Sequence, residues 1–246
     1  CLLFLPNTTG NGKKRKKRKE SAKEYIMRIL LDNIVNVRLK PGDQLLERDF
    51  CELCGVSRTP FREALLELAQ RHLVEIRPKI GTYVSYIDLD LVDEVRHMRS
   101  VLESELARMA CRMIGKDDLK KLRENVARWK VCVETDQVEE SLVLDKEFHG
   151  MIYQLCGRGY WHELAEGLAP HFDRTSTLKY LCRLATENVI QDHEELLDAI
   201  EDRDEEKASE IARRHLNRYT ENIEEIREHF PDYFVKPKML QKEGLT

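Results

Sequence analysis

The stretch Gly55-Val56-Ser57-Arg58-Thr59-Pro60-Phe61-Arg62-Glu63-Ala64-Leu65 constrains the N-terminal part of this chain more than any other. Ser57 is suited to cap a helix, because its hydroxyl can accept from an unpaired backbone N–H of the first turn. Pro60 falls within that turn, where its missing N–H costs little. Phe61, Ala64, Leu65 and Leu68 recur at helical spacing and make one apolar face. Arg58 and Arg62 are four apart, so they stack on a strip beside it. Two guanidinium forks near the N-terminus of a short, half-buried helix suit the DNA major groove, where Arg reads guanine bidentately or clamps phosphates. Taken alone, the two arginines fit a solvated surface helix equally well.

Charge distribution favours the first reading. Residues 1–84 carry 17 Lys/Arg and 10 Asp/Glu, and the remainder carries 24 and 35, leaving +7 on the first part and −11 on the second. A basic unit joined to an acidic body points to a polyanion met by the first unit alone. A length of 246 residues suits two units, one of about 60–70 residues and one of about 150. No apolar run reaches membrane-spanning length, and Cys1-Leu2-Leu3-Phe4-Leu5 is too short for the core of a secretion signal. Seven scattered cysteines suit reduced thiols and a cytoplasmic setting. Cys51 and Cys54 lack a second pair to complete a zinc site and read as packing residues.

Residues 1–20 read as a disordered tail ending in the cationic run Lys13–Lys19, which can lie along phosphates or simply remain solvated. Ile26, Ile29, Leu30 and Ile34 write a helix over 21–37, and Pro41-Gly42-Asp43 turns the chain. A second helix is expected over 47–54, with Gly55 making the turn into the next. Alternation at 73–76 and 82–86 around Arg77-Pro78-Lys79-Ile80-Gly81 predicts a β-hairpin with a basic tip, a wing whose Arg77 and Lys79 can touch the DNA backbone or minor groove.

Pro41-Gly42-Asp43-x-Leu45, Glu47-Arg48 and Gly55-Val56-Ser57-Arg58-Thr59-Pro60-x-Arg62-Glu63-Ala64-Leu65 together resemble the winged helix-turn-helix of the GntR family of bacterial transcription regulators, over about 21–86. That resemblance implies that Arg48, Arg58 and Arg62 make the main DNA contacts, with Thr59 and the wing assisting. The expected DNA-facing set is Arg48, Ser57, Arg58, Thr59, Arg62, Arg77 and Lys79. The chain departs from the family at His72, where a Gly usually precedes the Leu-Val that opens the wing.

Beyond Ile87 the pattern is helical, with helices expected over 88–114, 117–134, 138–156, 160–182, 186–202 and 204–229 and a loose tail over 231–246. The fold class is therefore mainly α: a winged helix-turn-helix at 21–86 and an antiparallel six-helix bundle at 87–230. Four polar residues fall on or beside apolar faces of the bundle. Asp145 and His149 are spaced i, i+4 beside Leu144/Phe148/Ile152, His193 lies among Val189/Leu196/Leu197, and His215 lies between Ile211 and Tyr219. Each histidine alone reads as a hydrogen-bonded core residue. As a set, three imidazoles and a carboxylate suit Zn²⁺, with Ni²⁺ or Mn²⁺ as alternatives, and an open position could take a ligand oxygen. Arg99 interrupts another apolar stripe and needs an anion, supplied either by Glu103 one turn on or by the carboxylate of a small acid in the bundle.

Arg99-x-x-Leu102-Glu103, Asp145-x-x-Phe148-His149, His193-Glu194-x-Leu196-Leu197 and Arg214-His215-Leu216 resemble the FCD effector domain that marks the FadR subfamily, with six helices leaning to its VanR-like branch. The resemblance implies that Asp145, His149, His193 and His215 occupy the metal-holding positions. Arg158 stands where the family often has Asn. The expectation is a homodimeric DNA-binding regulator that binds a near-palindromic double-stranded operator and responds to a small organic acid held by the metal and Arg99, with no membrane partner. The alternatives are a regulator for which the ion itself is the signal, or a metal-dependent hydrolase. No complete catalytic constellation supports the hydrolase, so an enzyme is not expected.

Overall fold

The computed structural model describes residues 20–182, 184 and 187–236. The cationic run Lys13–Lys19 and residues 237–246 of the expected tail lie outside them.

Helix α1 (Ala22–Val35) opens on a capping box. The Glu24 N–H donates to Ser21 Oγ at 3.2 Å and the Ser21 N–H to the Glu24 carboxylate at 2.7 Å, satisfying two otherwise orphaned donors. Helix α2 (Glu47–Cys54) ends at Gly55, whose φ of 65° makes the left-handed turn into α3 (Arg58–Gln70). Ile26, Leu30, Ile34, Phe50, Phe61, Leu68 and Leu73 bury the facing sides of these helices, with the Phe50 and Phe61 rings stacked at 5.5 Å. Strands β1 (Val74–Arg77) and β2 (Gly81–Val84) pair antiparallel, Val74 opposite Val84 and Arg77 opposite Gly81. The wing is where the alternation put it.

The departure at His72 has a local cause and cost. Its φ is 56°, its N–H donates to Ala69 O at 3.0 Å, and the Leu73 N–H donates to Leu68 O at 2.9 Å. This paired pattern closes α3 through a left-handed residue, a position glycine fills without a Cβ penalty.

The second unit comprises α4 (Leu89–Met113), α5 (Lys116–Glu134), α6 (Val138–Leu155), α7 (Gly159–Leu181), α8 (Glu187–Glu201), α9 (Glu205–Asn217) and α10 (Ile223–His229). α4 lies along α9, α5 along α6, and α8 packs on both α9 and α5, around a core that includes Leu106, Leu122, Trp129, Leu144, Phe148, Leu197, Ile200 and Ile211.

Two expectations about the C-terminal part are corrected. The helix expected over 204–229 is interrupted by a 3-10 segment at Arg218–Asn222, where the Arg218 guanidinium turns inward to the buried Asp192 carboxylate. The tail expected to be loose is docked over 231–236. The Ile87 N–H donates to Tyr233 O at 2.8 Å, the Val235 N–H donates to Ile87 O at 2.9 Å, and Phe234 is buried against Ile87, Val92, Leu178 and Ile226. The burial of an aromatic ring and two backbone hydrogen bonds hold a segment that reads as loose because Pro231 ends the helix before it.

Candidate metal centre and DNA-facing surface

α6 supplies Asp145 and His149, α8 supplies His193 and α9 supplies His215, and one ligand atom from each lies within 4.8 Å of all the others. Nε2 of His193 is 3.3 Å from Nε2 of His215, and Asp145 Oδ1 is 3.8 Å from His193 Nε2 and 3.9 Å from His149 Nε2. Donors held about 2.0–2.2 Å from one cation would stand about 3–4 Å apart. Burial, then the neighbouring imidazoles, depress the His193 proton affinity well below its ordinary value and push His215 down to about 3, so both rings are neutral, the form that ligates. Two neutral rings meeting through Nε2 must share either a proton or a cation, and the buried Nδ1 atoms of both lack a hydrogen-bond partner among the described residues. The donor set and its spacing fit a divalent ion.

The ring orientations have identifiable causes. His149 Nδ1 donates to Glu103 at 3.0 Å, which turns its Nε2 lone pair toward the cluster. Burial alone would lower the His149 pKa, and the Glu103 carboxylate raises it above the ordinary value instead. Glu103 in turn accepts from Arg99 Nε at 2.8 Å; burial opposes its ionisation, but Arg99 and His149 hold it well below the usual carboxylate range. His193 lies flat on Phe148, ring centroids 4.1 Å apart, with Trp129 at 4.8 Å. Asp192 stands 3.8 Å from His215 Nδ1 and is itself held by Arg214 and Arg218. Sequence reasoning missed the support that Glu103 and Asp192 give the cluster. Their only signals are an i, i+4 spacing to Arg99 and adjacency to His193.

Asp145, His149 and His215 of the cluster line a cavity of about 100 Å³ together with Arg99, Lys146, Tyr153, Thr175 and Lys179. Arg99 therefore does both things its position allowed: it pairs with Glu103 and it faces the cavity, its guanidinium 4.9 Å from the Phe172 ring centre.

The candidate DNA-facing side chains lie on α2, at the start of α3 and on the wing. Arg58 and Arg62 converge on the Glu47 carboxylate at 3.3 and 2.6 Å, which holds both forks side by side. Arg48 is exposed beside Asp49, Arg77 pairs with Glu75 at 2.8 Å, and Lys79 is exposed at the wing tip with φ 64°. Thr59 is exposed in the first turn. Ser57 takes the cap position with extended φ and ψ, but its side chain makes no cap hydrogen bond, which corrects the expected one and leaves the hydroxyl exposed.

α7 carries two contacts between the units, beside the Arg38–Glu139 ion pair that reaches α6. His171 Nε2 donates to the carbonyl of Arg71, the residue that caps the end of α3, at 2.7 Å. The Arg174 guanidinium, 1% exposed, donates to Ser85 O just past the wing at 2.7 Å. Neither contact was visible in the sequence.

A winged helix-turn-helix bearing exposed guanidinium groups, joined to a bundle that encloses a histidine-walled cavity, defines a ligand-binding transcription regulator. Residues 22–84 match the pattern of the bacterial regulatory proteins of the gntR family, and residues 94–218 match the FCD domain. The chain belongs to the GntR family and carries an FCD effector domain. It is 28% identical over 211 residues to the HTH-type transcriptional repressor RspR of Escherichia coli K12, covering 86% of this chain and 92% of that protein. It is 31% identical over 202 residues, 82% of this chain and 85% of the relative, to an uncharacterized HTH-type transcriptional regulator from an unstable DNA locus of Streptomyces ambofaciens. The solved structure of E. coli McbR/YncC shares the fold, with a TM-score of 0.72 at 22% identity over 85% of this chain and 99% of that one.

Proposed function

We propose that this regulator binds a near-palindromic double-stranded operator as a homodimer and that a small organic acid in the bundle changes its operator affinity. A twofold pair would set two α3 helices on two half-sites. Arg58 and Arg62 would read or clamp the major groove, with Arg48, Ser57 and Thr59 beside them and Arg77 and Lys79 on the flanking backbone or minor groove. The run Lys13–Lys19 would add phosphate contacts without reading sequence. Work on chromosomal DNA places such a protein in the cytoplasm.

In the bundle, Asp145, His149, His193 and His215 would hold a divalent ion, Zn²⁺ by donor type with Ni²⁺ and Mn²⁺ compatible. Such an ion supplies positive charge and an open coordination position for a carboxylate oxygen. Arg99, already oriented by Glu103, would donate to the same carboxylate.

One observation carries the coupling: α7 lines the cavity with Phe172, Thr175 and Lys179 and hydrogen-bonds to the DNA-binding unit with His171 and Arg174. An acid that prefers one placement of α7 therefore biases the placement of α3, by no more than its difference in affinity for the two arrangements. The first test is metal content. Protein purified without chelator is expected to hold about one ion per chain, since a single four-ligand cluster serves one ion, and to lose it in Asp145→Ala and His215→Ala. A folded, DNA-binding wild type without metal would leave the three imidazoles as core residues and overturn the metal half of the proposal.

A further inference from the structure

The cavity contains a cation that the carboxylate reading does not use. Arg99 is answered by Glu103, Lys146 by Asp173 at 2.5 Å, and Arg218 by Asp192. Lys179, in the last turn of α7, also lines the cavity, and among the described residues its ammonium has no ion pair or hydrogen bond. Burial lowers its pKa from the ordinary lysine value, an effect that the charge of Glu221 only partly offsets. A half-buried ammonium without a counter-ion is costly to keep, so it needs a partner that the described residues do not provide. A second orphan faces the same space. The Tyr153 hydroxyl is buried, with the residue 1% exposed, and it has no hydrogen-bond partner among the described residues. By contrast, the nearby hydroxyls of Thr175 and Ser176 are already donated to Phe172 O.

We infer that the acid taken by the bundle is a small dianion whose second negative group is bound by Lys179. The inference rests on the reading that a first carboxylate binds at the Asp145/His149/His193/His215 end. It follows from matching charge to charge. A divalent ion set against the single carboxylate of Asp145 leaves one positive charge at that end, and Lys179 leaves another elsewhere in the wall. One monocarboxylate answers only one of them. A dicarboxylate answers both, and the Tyr153 hydroxyl can donate to an oxygen on either group. A cavity of about 100 Å³ restricts the acid to a few carbons.

The test is calorimetric titration of the metal-loaded full-length protein with malonate, succinate and glutarate, each against the monoacid of the same length, and with phosphoglycolate, whose phosphate carries about −1.5 to −2 beside its carboxylate, as an acid of different headgroup. Wild type is expected to bind at least one dianion about tenfold tighter than the matched monoacid, the size of one charge-assisted hydrogen bond. Tightest binding by a dicarboxylate or by phosphoglycolate identifies the second group. Lys179→Gln is expected to abolish the preference by weakening the dianions far more than the monoacids, while Lys179→Arg, which keeps the charge, retains it. A preference that survives in Lys179→Gln reflects chelation at the cluster and overturns the assignment, as does equal binding of monoacids and dianions by wild type. Failure of every acid to bind would sink the underlying carboxylate reading as well, so the two failures are distinguishable.

Discussion

At the scale of single residues, His72 shows where this chain accepts strain. A non-glycine residue at φ 56° crowds its Cβ against the backbone, at a cost of about 1–2 kcal/mol. Glycine relieves that crowding but gives some back through the greater freedom of its unfolded chain. His72→Gly is therefore expected to stabilise the protein by about 0.5–1 kcal/mol, read as a higher urea midpoint at unchanged slope. A lower midpoint would mean that the imidazole makes a contact worth more than the strain. Single residues were also where the sequence spoke most clearly about the bundle. Asp145, His149, His193 and His215 were legible because polar groups on apolar helical faces need partners, and periodicity alone shows which faces are apolar. Glu103 and Asp192 were not. Their roles depend on which helix lies across from them, and helical periodicity carries no information about that.

At the scale of elements, the turns were more legible than the docking. Gly55, Pro41-Gly42 and the hairpin around Gly81 announce themselves because few residues tolerate those backbone angles. The interruption at Arg218–Asn222 contains neither Gly nor Pro, so its cause is tertiary, the reach of Arg218 to Asp192. Residues 231–236 pair with Ile87, far earlier in the chain, through backbone groups that every sequence possesses.

α7 is the element whose role emerged only from packing, and it carries a pH prediction. Burial lowers the His171 pKa from its ordinary 6.5, with the Arg71 carbonyl opposing this, Arg174 and His72 adding to it, and Asp88 opposing it. Below pH 6.5 the unfolded chain thus takes a proton that the folded chain still refuses. Stability from this group is complete above that value and falls as the solution is acidified, until the folded-state pKa is reached. His171→Gln, which keeps a side-chain N–H for the Arg71 carbonyl, should flatten the acid side of the thermal midpoint against pH and leave the neutral side unchanged. An identical slope in both proteins would contradict this.

At the scale of the whole molecule, the division of charge matches the division of labour. The basic unit presents Arg48, Arg58, Arg62, Arg77 and Lys79 outward, while the acidic body turns cations inward around a cavity. No helix among the described residues is long and apolar enough to cross a membrane. The family and the two-unit plan were legible from the ordered series of turns, caps and arginines and from the four polar residues in the bundle. The α7 contacts between the units were not, because they run to the backbone carbonyls of Arg71 and Ser85. The central claim is that the cavity and the DNA-binding surface share one equilibrium. It is tested most directly by measuring the affinity of the metal-loaded protein for a duplex selected from a random pool, with and without a saturating acid. Wild type is expected to shift its affinity by about 5- to 150-fold, the usual range of such coupling. The double variant His171→Gln/Arg174→Met should bind both acid and DNA and lose most of that shift. An acid that demonstrably fills the cavity and leaves DNA affinity unmoved in wild type would contradict the account.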